Sequence, residues 1–275
     1  MKIKYLGTAA VEAIPGPFCD CKICRKAREL GGRELRARSQ ALVDGKLLIE
    51  FNPDTFMNMF RFGLELVSIR HCIVTHEHSD HFYPDDLSNL NPGYSELPDG
   101  WPPFTLYGSE DLYPKVEKYA KRYPTRFVFK QIEPFVPYDI AGLTVTPLKA
   151  AHGTPHPYIY LIEDGKKGLL YANDTGIFPN ETWDYLAGAK PRLGLVSMDC
   201  TEGAALQIGY DEHMCLGKNI ELRERLRGLG LCDDDTIFIS NHFSHSGDDV
   251  NYCDYLPIAE KEGILTSYDG MEIEF

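Results

Sequence analysis

The sequence lacks long apolar runs, and it has far fewer basic than acidic residues. No stretch reaches the length that crosses a bilayer, and the segment Met1–Gly7 has no apolar core of the kind that signal peptides carry. The 28 basic residues are outnumbered by 41 acidic ones, which gives a formal net charge of −13. The chain therefore offers no broad positive surface for a nucleic-acid polymer. We expect neither a membrane nor a nucleic-acid polymer as its partner.

The eight cysteines come without a signal peptide, which predicts a reducing compartment and a cytoplasmic location. In that setting cysteines are free or bind metal. No internal repeat, linker or low-complexity segment divides the chain. The candidate ligands described next are far apart in the sequence and have to converge. We therefore expect a single domain over residues 1–275.

The most informative motif is His76-Glu77-His78-Ser79-Asp80-His81, the pattern H-x-H-x-D-H. It follows Cys72–Thr75, a short β-prone run that predicts a buried strand. Imidazole and carboxylate together suit zinc, iron and manganese. Because closely spaced ligands cannot all reach one ion, the motif predicts two metals. A polar loop that happens to be rich in histidine is the alternative, but clustered His beside Asp is costly unless it is used.

Three further ligand-type residues each follow a strand-like run far downstream. They are His152 after Leu143–Thr146, Asp174 after Gly168–Ala172, and His242 after Thr236–Ser240.

A separate pattern of cysteines, C-x-C-x-x-C, lies near the N-terminus at Cys19, Cys21 and Cys24. Three thiolates on so short a loop make most of a tetrahedral zinc site, and His245 is the natural fourth ligand. Such a closed site would be structural and would tie this loop to the one carrying His242. A redox pair and inert cysteines are the alternatives.

The order of these motifs resembles that of the metallo-β-lactamase superfamily. Within it, the chain is similar over nearly its whole length to the PhnP-type cyclic-phosphate phosphodiesterases. The likeness lies in the cysteine motif, Asn173-Asp174-Thr175, Met198-Asp199-Cys200, His242–His245 and Asp269–Ile273. The resemblance implies an α/β fold, a four-layer αβ/βα sandwich of two mixed β-sheets with helices outside. The residue pattern alone predicts only mixed α and β structure.

The resemblance also implies how the ligands divide between two ions. His76, His78 and His152 would hold one ion, and Asp80, His81 and His242 would hold the other, with Asp174 bridging them. The ions would be manganese or zinc, with iron as an alternative, in addition to the structural zinc. The implied reaction is attack of a metal-bridging hydroxide on a small cyclic or alkyl phosphodiester.

Two residues are expected to be catalytic, Asp80 within the metal set and His213 as a phosphate contact or proton donor to the leaving oxygen. His213 is expected near the start of a helix that runs from Asp211 to Leu226. A surface histidine is the alternative interpretation of His213.

Other residues receive a structural interpretation. These are His71, His156 and Cys200, together with the basic stretch Arg33–Arg38, where a solvated face is favoured over a phosphate contact. Asp54 is interpreted as a turn residue or as a neighbour of the site.

The sequence departs from the PhnP pattern at Glu77, where tyrosine is more usual, and in Thr201–Ala205. Two other activities of the same superfamily therefore remain as alternatives: a PqqB-like iron-dependent oxygenase and a tRNA-processing nuclease. All seven ligand residues are present, which favours two metals over the single metal of an oxygenase. A homodimer is compatible with the sequence.

Overall fold

A computed structural model describes all 275 residues and contains fourteen strands and six α-helices. The strands are β1 (Lys2–Gly7), β2 (Gln40–Val43), β3 (Leu47–Ile49), β4 (His71–Ile73), β5 (Phe104–Gly108), β6 (Phe127–Gln131), β7 (Tyr138–Ile140), β8 (Leu143–Lys149), β9 (Tyr158–Glu163), β10 (Gly168–Ala172), β11 (Leu193–Asp199), β12 (Cys232–Asn241), β13 (Leu265–Thr266) and β14 (Glu272–Glu274). The helices are α1 (Lys22–Leu30), α2 (Thr55–Phe62), α3 (Tyr113–Arg122), α4 (Asn180–Ala189), α5 (Leu216–Gly228) and α6 (Tyr252–Lys261).

The strands form two mixed sheets of seven strands each. The first sheet has the order β14-β1-β2-β3-β4-β5-β6, and the second has the order β13-β12-β11-β10-β9-β8-β7. Strands β3 to β6 are parallel to one another, as are β10 to β13. The carboxyl ends of parallel strands meet at one edge of a sheet, so the residues that follow them are brought close together.

Strand residues alternate between two apolar layers, because successive side chains point to opposite faces of a sheet. Leu47 and Ile49 of β3 lie in the core between the sheets with Leu169 and Tyr171 of β10. Leu48 points outward instead and packs against a separate cluster. Both faces of each sheet are covered, which explains why these strands are continuous apolar runs rather than alternating ones.

Helices cover the outer faces of both sheets. Val116 and Tyr119 of α3 pack against the outer face of the first sheet. Helices α1, α4, α5 and α6 cover the second sheet, where Trp183, Leu222 and Tyr255 are buried. The predicted four-layer sandwich of two mixed sheets with helices outside is confirmed.

The structure corrects one predicted helix. Helix α5 begins at Leu216, so Asp211 and His213 lie in the preceding loop rather than in its first turn. Asp199 Oδ1 accepts a hydrogen bond from the Met214 amide at 2.8 Å, which fixes the loop before the helix begins. His213 therefore owes its position to contacts of this loop.

The basic stretch is also not the solvated face that its charge pattern indicates. Arg36 is 2% exposed, and its Nη1 donates to Thr8 Oγ1 at 2.9 Å and to the Ser267 carbonyl oxygen at 2.7 Å. Its guanidinium lies over the ring of Phe243, 4.2 Å from the centroid. Arg36 thus holds together distant parts of the chain.

No helix of the structure combines the length and the apolar character needed to cross a bilayer.

Candidate metal centre

The seven predicted ligands of the H-x-H-x-D-H motif and its partners lie together at one edge of the two sheets. The motif follows β4 of the first sheet, and the other three ligands follow strands of the second sheet: His152 after β8, Asp174 after β10 and His242 after β12. Their ligand atoms form two groups that share Asp174. One group is His76, His78, His152 and Asp174, and the other is Asp80, His81, Asp174 and His242.

The first group is a triangle of imidazole nitrogens. His78 Nδ1 lies 2.9 Å from His76 Nε2 and 3.2 Å from His152 Nε2. Asp174 Oδ2 lies 3.1 Å from His76 Nε2 and 3.4 Å from His152 Nε2. Nitrogens that bind one zinc ion at about 2.1 Å are separated by roughly 3–3.5 Å in tetrahedral geometry. The spacing of this group fits that separation.

The second group contains two carboxylates. His81 Nε2 lies 3.1 Å from Asp80 Oδ2 and 3.1 Å from Asp174 Oδ2. His242 Nε2 is 4.0 Å from the other oxygen of Asp174, Oδ1. Asp174 therefore faces both groups, as a bridging carboxylate would.

Three buried ligand atoms have polar atoms close to them but make no hydrogen bond. His81 Nε2, His242 Nε2 and Asp174 Oδ1 are inaccessible to solvent and make no hydrogen bond within the protein. Unpaired buried polar atoms are costly. Atoms 3–4 Å apart that converge on a point, rather than aligning donor with acceptor, are typical of ligands around a cation. The residues present thus fit two metal ions.

The ring nitrogens that face away from the groups are held by other side chains. His81 Nδ1 lies 3.2 Å from Glu50 Oε1, and both residues are fully buried. His76 Nδ1 lies 3.0 Å from Thr75 Oγ1, and His242 Nδ1 lies 3.2 Å from Asp199 Oδ2. Such contacts fix the orientation and tautomer of a ligating imidazole.

The backbone at the site adopts uncommon conformations. Glu50, Asp174 and His242 have φ values of 73°, 54° and 62°, in the left-handed region that residues other than glycine rarely occupy. Each of the three directly follows, or nearly follows, a strand. Such conformations cluster at functional sites because they aim a side chain that a regular strand could not.

Burial and neighbouring charges shift the pKa values of the ligands. Burial, together with the nearby His81 charge, lowers the pKa of His76 to about 3, so its imidazole is neutral at pH 7. Burial would raise the pKa of Asp174, but the charge of His242 and the close contacts of His76 and His81 hold that pKa well below its usual range. A neutral imidazole and an ionised carboxylate are the forms that bind metals.

His213, predicted to be catalytic, lies beside the second group. Its Nδ1 is 3.1 Å from Asp174 Oδ1 and 3.3 Å from Asp199 Oδ2. Burial lowers the pKa of His213, but the hydrogen bond to Asp199 and the charges of Asp199 and Asp174 more than offset this and raise it to about 9. No hydrogen bond of the protein uses Nε2 of His213. The other predicted catalytic residue, Asp80, is buried within the second group.

The four residues of the predicted structural zinc site also lie close together. Cys19, Cys21, Cys24 and His245 place one ligand atom each within 4.8 Å of the others. His245 Nδ1 lies 3.8 Å from Cys19 Sγ and 4.0 Å from Cys21 Sγ. Cys21 Sγ accepts a hydrogen bond from the Cys24 amide at the start of α1. All cysteines of the chain are free of disulfides, which leaves these thiols available as ligands.

The other residues singled out in the sequence lie outside both clusters. His71 Nδ1 lies 3.2 Å from the Tyr107 hydroxyl, and His156 Nδ1 lies 2.8 Å from Asp111 Oδ2. Burial raises the pKa of the Cys200 thiol, and this thiol lies 3.1 Å from the Tyr255 hydroxyl. Asp54 forms an ion pair with Arg38 at 2.6 Å.

Sequence reasoning missed the residues that support the ligands. The only feature of the sequence that could have indicated Glu50 and Asp199 is a carboxylate at the end of an apolar run. No feature of the sequence indicates Thr75 or Thr201. Thr201 Oγ1 lies 3.0 Å from His242 Nδ1 and 3.2 Å from His213 Nδ1.

Both metal-ligand groups border one open cavity of about 590 Å³. The sixteen residues of its wall include only three hydrophobic ones. Most side chains of this wall are polar or charged.

The fold and this site define a protein of the metallo-β-lactamase type, whose relatives include metal-dependent hydrolases. The model of the beta-lactamase superfamily domain matches residues 47–226. The chain therefore belongs to the beta-lactamase superfamily.

One curated relative is an octanoyltransferase of Porphyromonas gingivalis (strain ATCC BAA-308 / W83), 26% identical over 166 residues. The match covers 56% of this chain but only 31% of that protein, so the chain spans about a third of its length.

Two solved structures share the fold over the full chain. A diphosphatase from the PhnP family has a TM-score of 0.72 at 21% identity, with 100% of this chain and 97% of that chain covered. Zinc-bound PqqB from Methylobacterium extorquens has a TM-score of 0.75 at 18% identity, with 100% of both chains covered. At this identity the two structures show the fold and leave the branch within the superfamily open.

Proposed function

We propose that this chain is a two-metal phosphodiesterase of the PhnP-type branch that hydrolyses a small cyclic or alkyl phosphodiester to a monoester. One observation carries the proposal: seven ligand-type side chains form two groups that share Asp174. Ions about 3.5–4 Å apart would supply an activated water and neutralise the phosphate oxygens.

The side chains of the site have two roles in this proposal, binding the ions and orienting the ligands. His76, His78 and His152 would hold one ion, Asp80, His81 and His242 the other, and Asp174 would bind both. Glu50 and Asp199 hold the ligating imidazoles in orientation through their Nδ1 atoms. These contacts preorganise the site before substrate binds.

His213 is placed to assist departure of the leaving oxygen. Asp174 and Asp199 engage its Nδ1, so Nε2 is the ring nitrogen that remains for the substrate. His213 also borders the cavity. We assign Nε2 as the donor of the proton that the leaving alkoxide needs.

The cavity supports this substrate class over the alternatives. A wall with only three hydrophobic residues among sixteen does not suit a long acyl chain, and a net charge of −13 does not suit a tRNA. A single-metal oxygenase would not require the second group of ligands.

The test is hydrolysis of bis(p-nitrophenyl) phosphate and 2′,3′-cyclic nucleotides by protein loaded with manganese or zinc, together with elemental analysis. We expect turnover and two catalytic metals per chain. Asp174→Ala should abolish turnover, whereas Asp184→Ala, which removes an exposed carboxylate on α4, should retain it. One catalytic metal in fully active protein, or no turnover with either metal, would contradict the proposal.

A further inference from the structure

The wall of the active-site cavity is acidic beyond its metal ligands. Three carboxylate residues that belong to neither ligand group line it, and no lysine or arginine does. They are Glu12, Glu202 and Glu212. The hydroxyls of Ser79, Ser244, Ser246 and Tyr210 line the same space.

Each of these carboxylates contacts a residue that lines the cavity or directly follows a metal ligand. Glu12 accepts a hydrogen bond from Ser244, two residues after His242, and Glu202 accepts one from the Tyr210 hydroxyl. Glu212 packs beside Gly153, where an added Cβ would lie 3.3 Å from the carboxylate oxygens. Gly153 follows His152 directly, so its lack of a side chain makes room for this carboxylate.

No lysine or arginine neutralises the three carboxylates. The one ion-pair contact among them joins Glu12 to His245 Nε2 at 3.8 Å, and neither Glu202 nor Glu212 forms an ion pair. Apart from the metal ligands, His213 is the one cationic side chain of this wall, so carboxylates outnumber cations there. An excess of charge of one sign lining a cleft concentrates ligands of the opposite sign. Tyr210 adds an aromatic ring that is 42% exposed, and such rings bind cations over their faces.

The same cavity has a second signature of a ligand site. Asp174 and His242 line it, and Asp174 Oδ1 and His242 Nε2 are buried atoms without a hydrogen-bond partner. The base of the cavity is thus suited to metal ions and an anionic phosphate, while its wall attracts positive charge.

We propose that the phosphodiester carries an organic cation, such as an alkylammonium group, on its alcohol portion, and that Glu12, Glu202, Glu212 and the ring of Tyr210 receive it. The proposal rests on the phosphodiesterase function proposed above. A second phosphate on the substrate would be repelled by the same carboxylates. A neutral sugar would form hydrogen bonds with the hydroxyls but leave the charges unneutralised.

The test compares p-nitrophenyl phosphocholine with 3,3-dimethylbutyl p-nitrophenyl phosphate. These esters share shape and leaving group and differ only in the positive charge. Metal-loaded protein should show a kcat/KM about tenfold or more higher for the choline ester at low salt. The ratio should fall as ionic strength rises, because salt screens exposed charges. Thymidine 5′-(p-nitrophenyl phosphate) serves as the sugar-bearing comparison.

The matched variants are Glu202→Gln with Glu212→Gln, and Glu221→Gln with Glu260→Gln. The second pair removes two exposed carboxylates on α5 and α6 and so equals the first in net charge. The first pair should bring the ratio of kcat/KM for the choline ester to kcat/KM for the neutral ester close to one. The second pair should leave this ratio, the choline preference, unchanged.

A choline preference near one, or a higher kcat/KM for the thymidine ester than for the choline ester, would overturn this inference while phosphodiesterase activity stands. No turnover of any of the three esters by metal-loaded wild type would overturn the proposed function and the inference together.

Discussion

At the scale of single residues, three of the candidate ligands, His76, His81 and His242, contact a second side chain that lies outside the two ligand groups. Glu50 is one of these partners; it is fully buried, and its Oε1 faces His81 Nδ1. Its other oxygen accepts a hydrogen bond from the Thr75 amide at 3.2 Å. One carboxylate therefore positions both the imidazole and the start of the H-x-H-x-D-H loop.

We expect Glu50→Gln to weaken metal affinity by about 10–100-fold, the usual cost of removing a partner of a ligating histidine. Titration of apoprotein with zinc or manganese measures this effect. The control is Glu34→Gln, another buried carboxylate, which accepts hydrogen bonds from the Tyr252 and Cys253 amides at the start of α6. That variant should lose stability but keep its metal affinity. Equal metal affinities of Glu50→Gln and wild type would contradict the assignment.

If His213 donates a proton to the leaving oxygen, its removal should slow some substrates more than others, depending on the leaving group. His213→Ala should lower kcat by about 10²–10⁴-fold on esters with an alkoxide leaving group, which needs a proton. On p-nitrophenyl esters the loss should be much smaller, since p-nitrophenolate leaves without one. His156→Ala, at a histidine paired with Asp111 instead, should change neither rate. Equal losses on both kinds of ester would exclude Nε2 of His213 as the proton donor.

The residues of the site differ in how far the sequence alone could place them. His76 to His81 and the ligands after β8, β10 and β12 are predictable because each follows a short apolar run that fixes where its side chain emerges. Glu50 and Asp199 are not, because their role arises only from tertiary contacts with His81 and His242. The burial of Arg36 depends on Thr8 and Ser267, which no local pattern reveals.

At the scale of elements, the loop before α1 carries three cysteines that cluster with His245. His245 belongs to the loop after β12, where the Phe243 amide donates to the Thr8 carbonyl oxygen at 2.9 Å. Gly16 is part of this junction, since an added Cβ would lie 2.9 Å from His245 Nε2. The cluster thus joins the N-terminal loop to the loop that carries His242.

Cys21→Ser should remove the zinc from this cluster and lower Tm by roughly 5–10 °C, equivalent to about 2–4 kcal/mol of unfolding free energy. The catalytic metals should remain bound, because their ligands are separate residues. Elemental analysis and thermal unfolding measure the two effects. Cys253→Ser is the control, since Cys253 is exposed and lies outside the cluster. A Cys21→Ser protein with full zinc content and unchanged Tm would show that the thiols have another role.

The elements also show which local signals suffice. Predicted strands such as Leu143–Thr146 and Gly168–Ala172 are confirmed, because strands covered on both faces are short apolar runs between turn residues. Helix α3 has Pro114 in its first turn, where proline is tolerated. Helix α1 is rich in charged residues and helix α6 contains Pro257 in its interior, so neither has a clear helical pattern in the sequence; both pack on the second sheet.

At the scale of the whole molecule, the candidate centre lies across the junction of the two sheets. The H-x-H-x-D-H motif follows β4 of the first sheet, and His152, Asp174 and His242 come from the second. Each ligand group contains residues from both sheets, so an ion bound to either group would link the two halves of the sandwich. Binding to the folded state alone raises its stability by mass action.

Metal loading should accordingly stabilise the entire chain. At a free metal concentration of about 100 times Kd, the gain is about 2.7 kcal/mol, or roughly 5–10 °C in Tm for a chain of this size. Thermal unfolding of chelator-treated and reloaded protein measures it. Cys21→Ser should retain this response, because its thiol belongs to the other cluster, whereas Asp174→Ala should lose most of it, because Asp174 belongs to both catalytic groups. The same Tm for metal-free and metal-loaded wild type would show that the seven residues do not bind metal across the sheets.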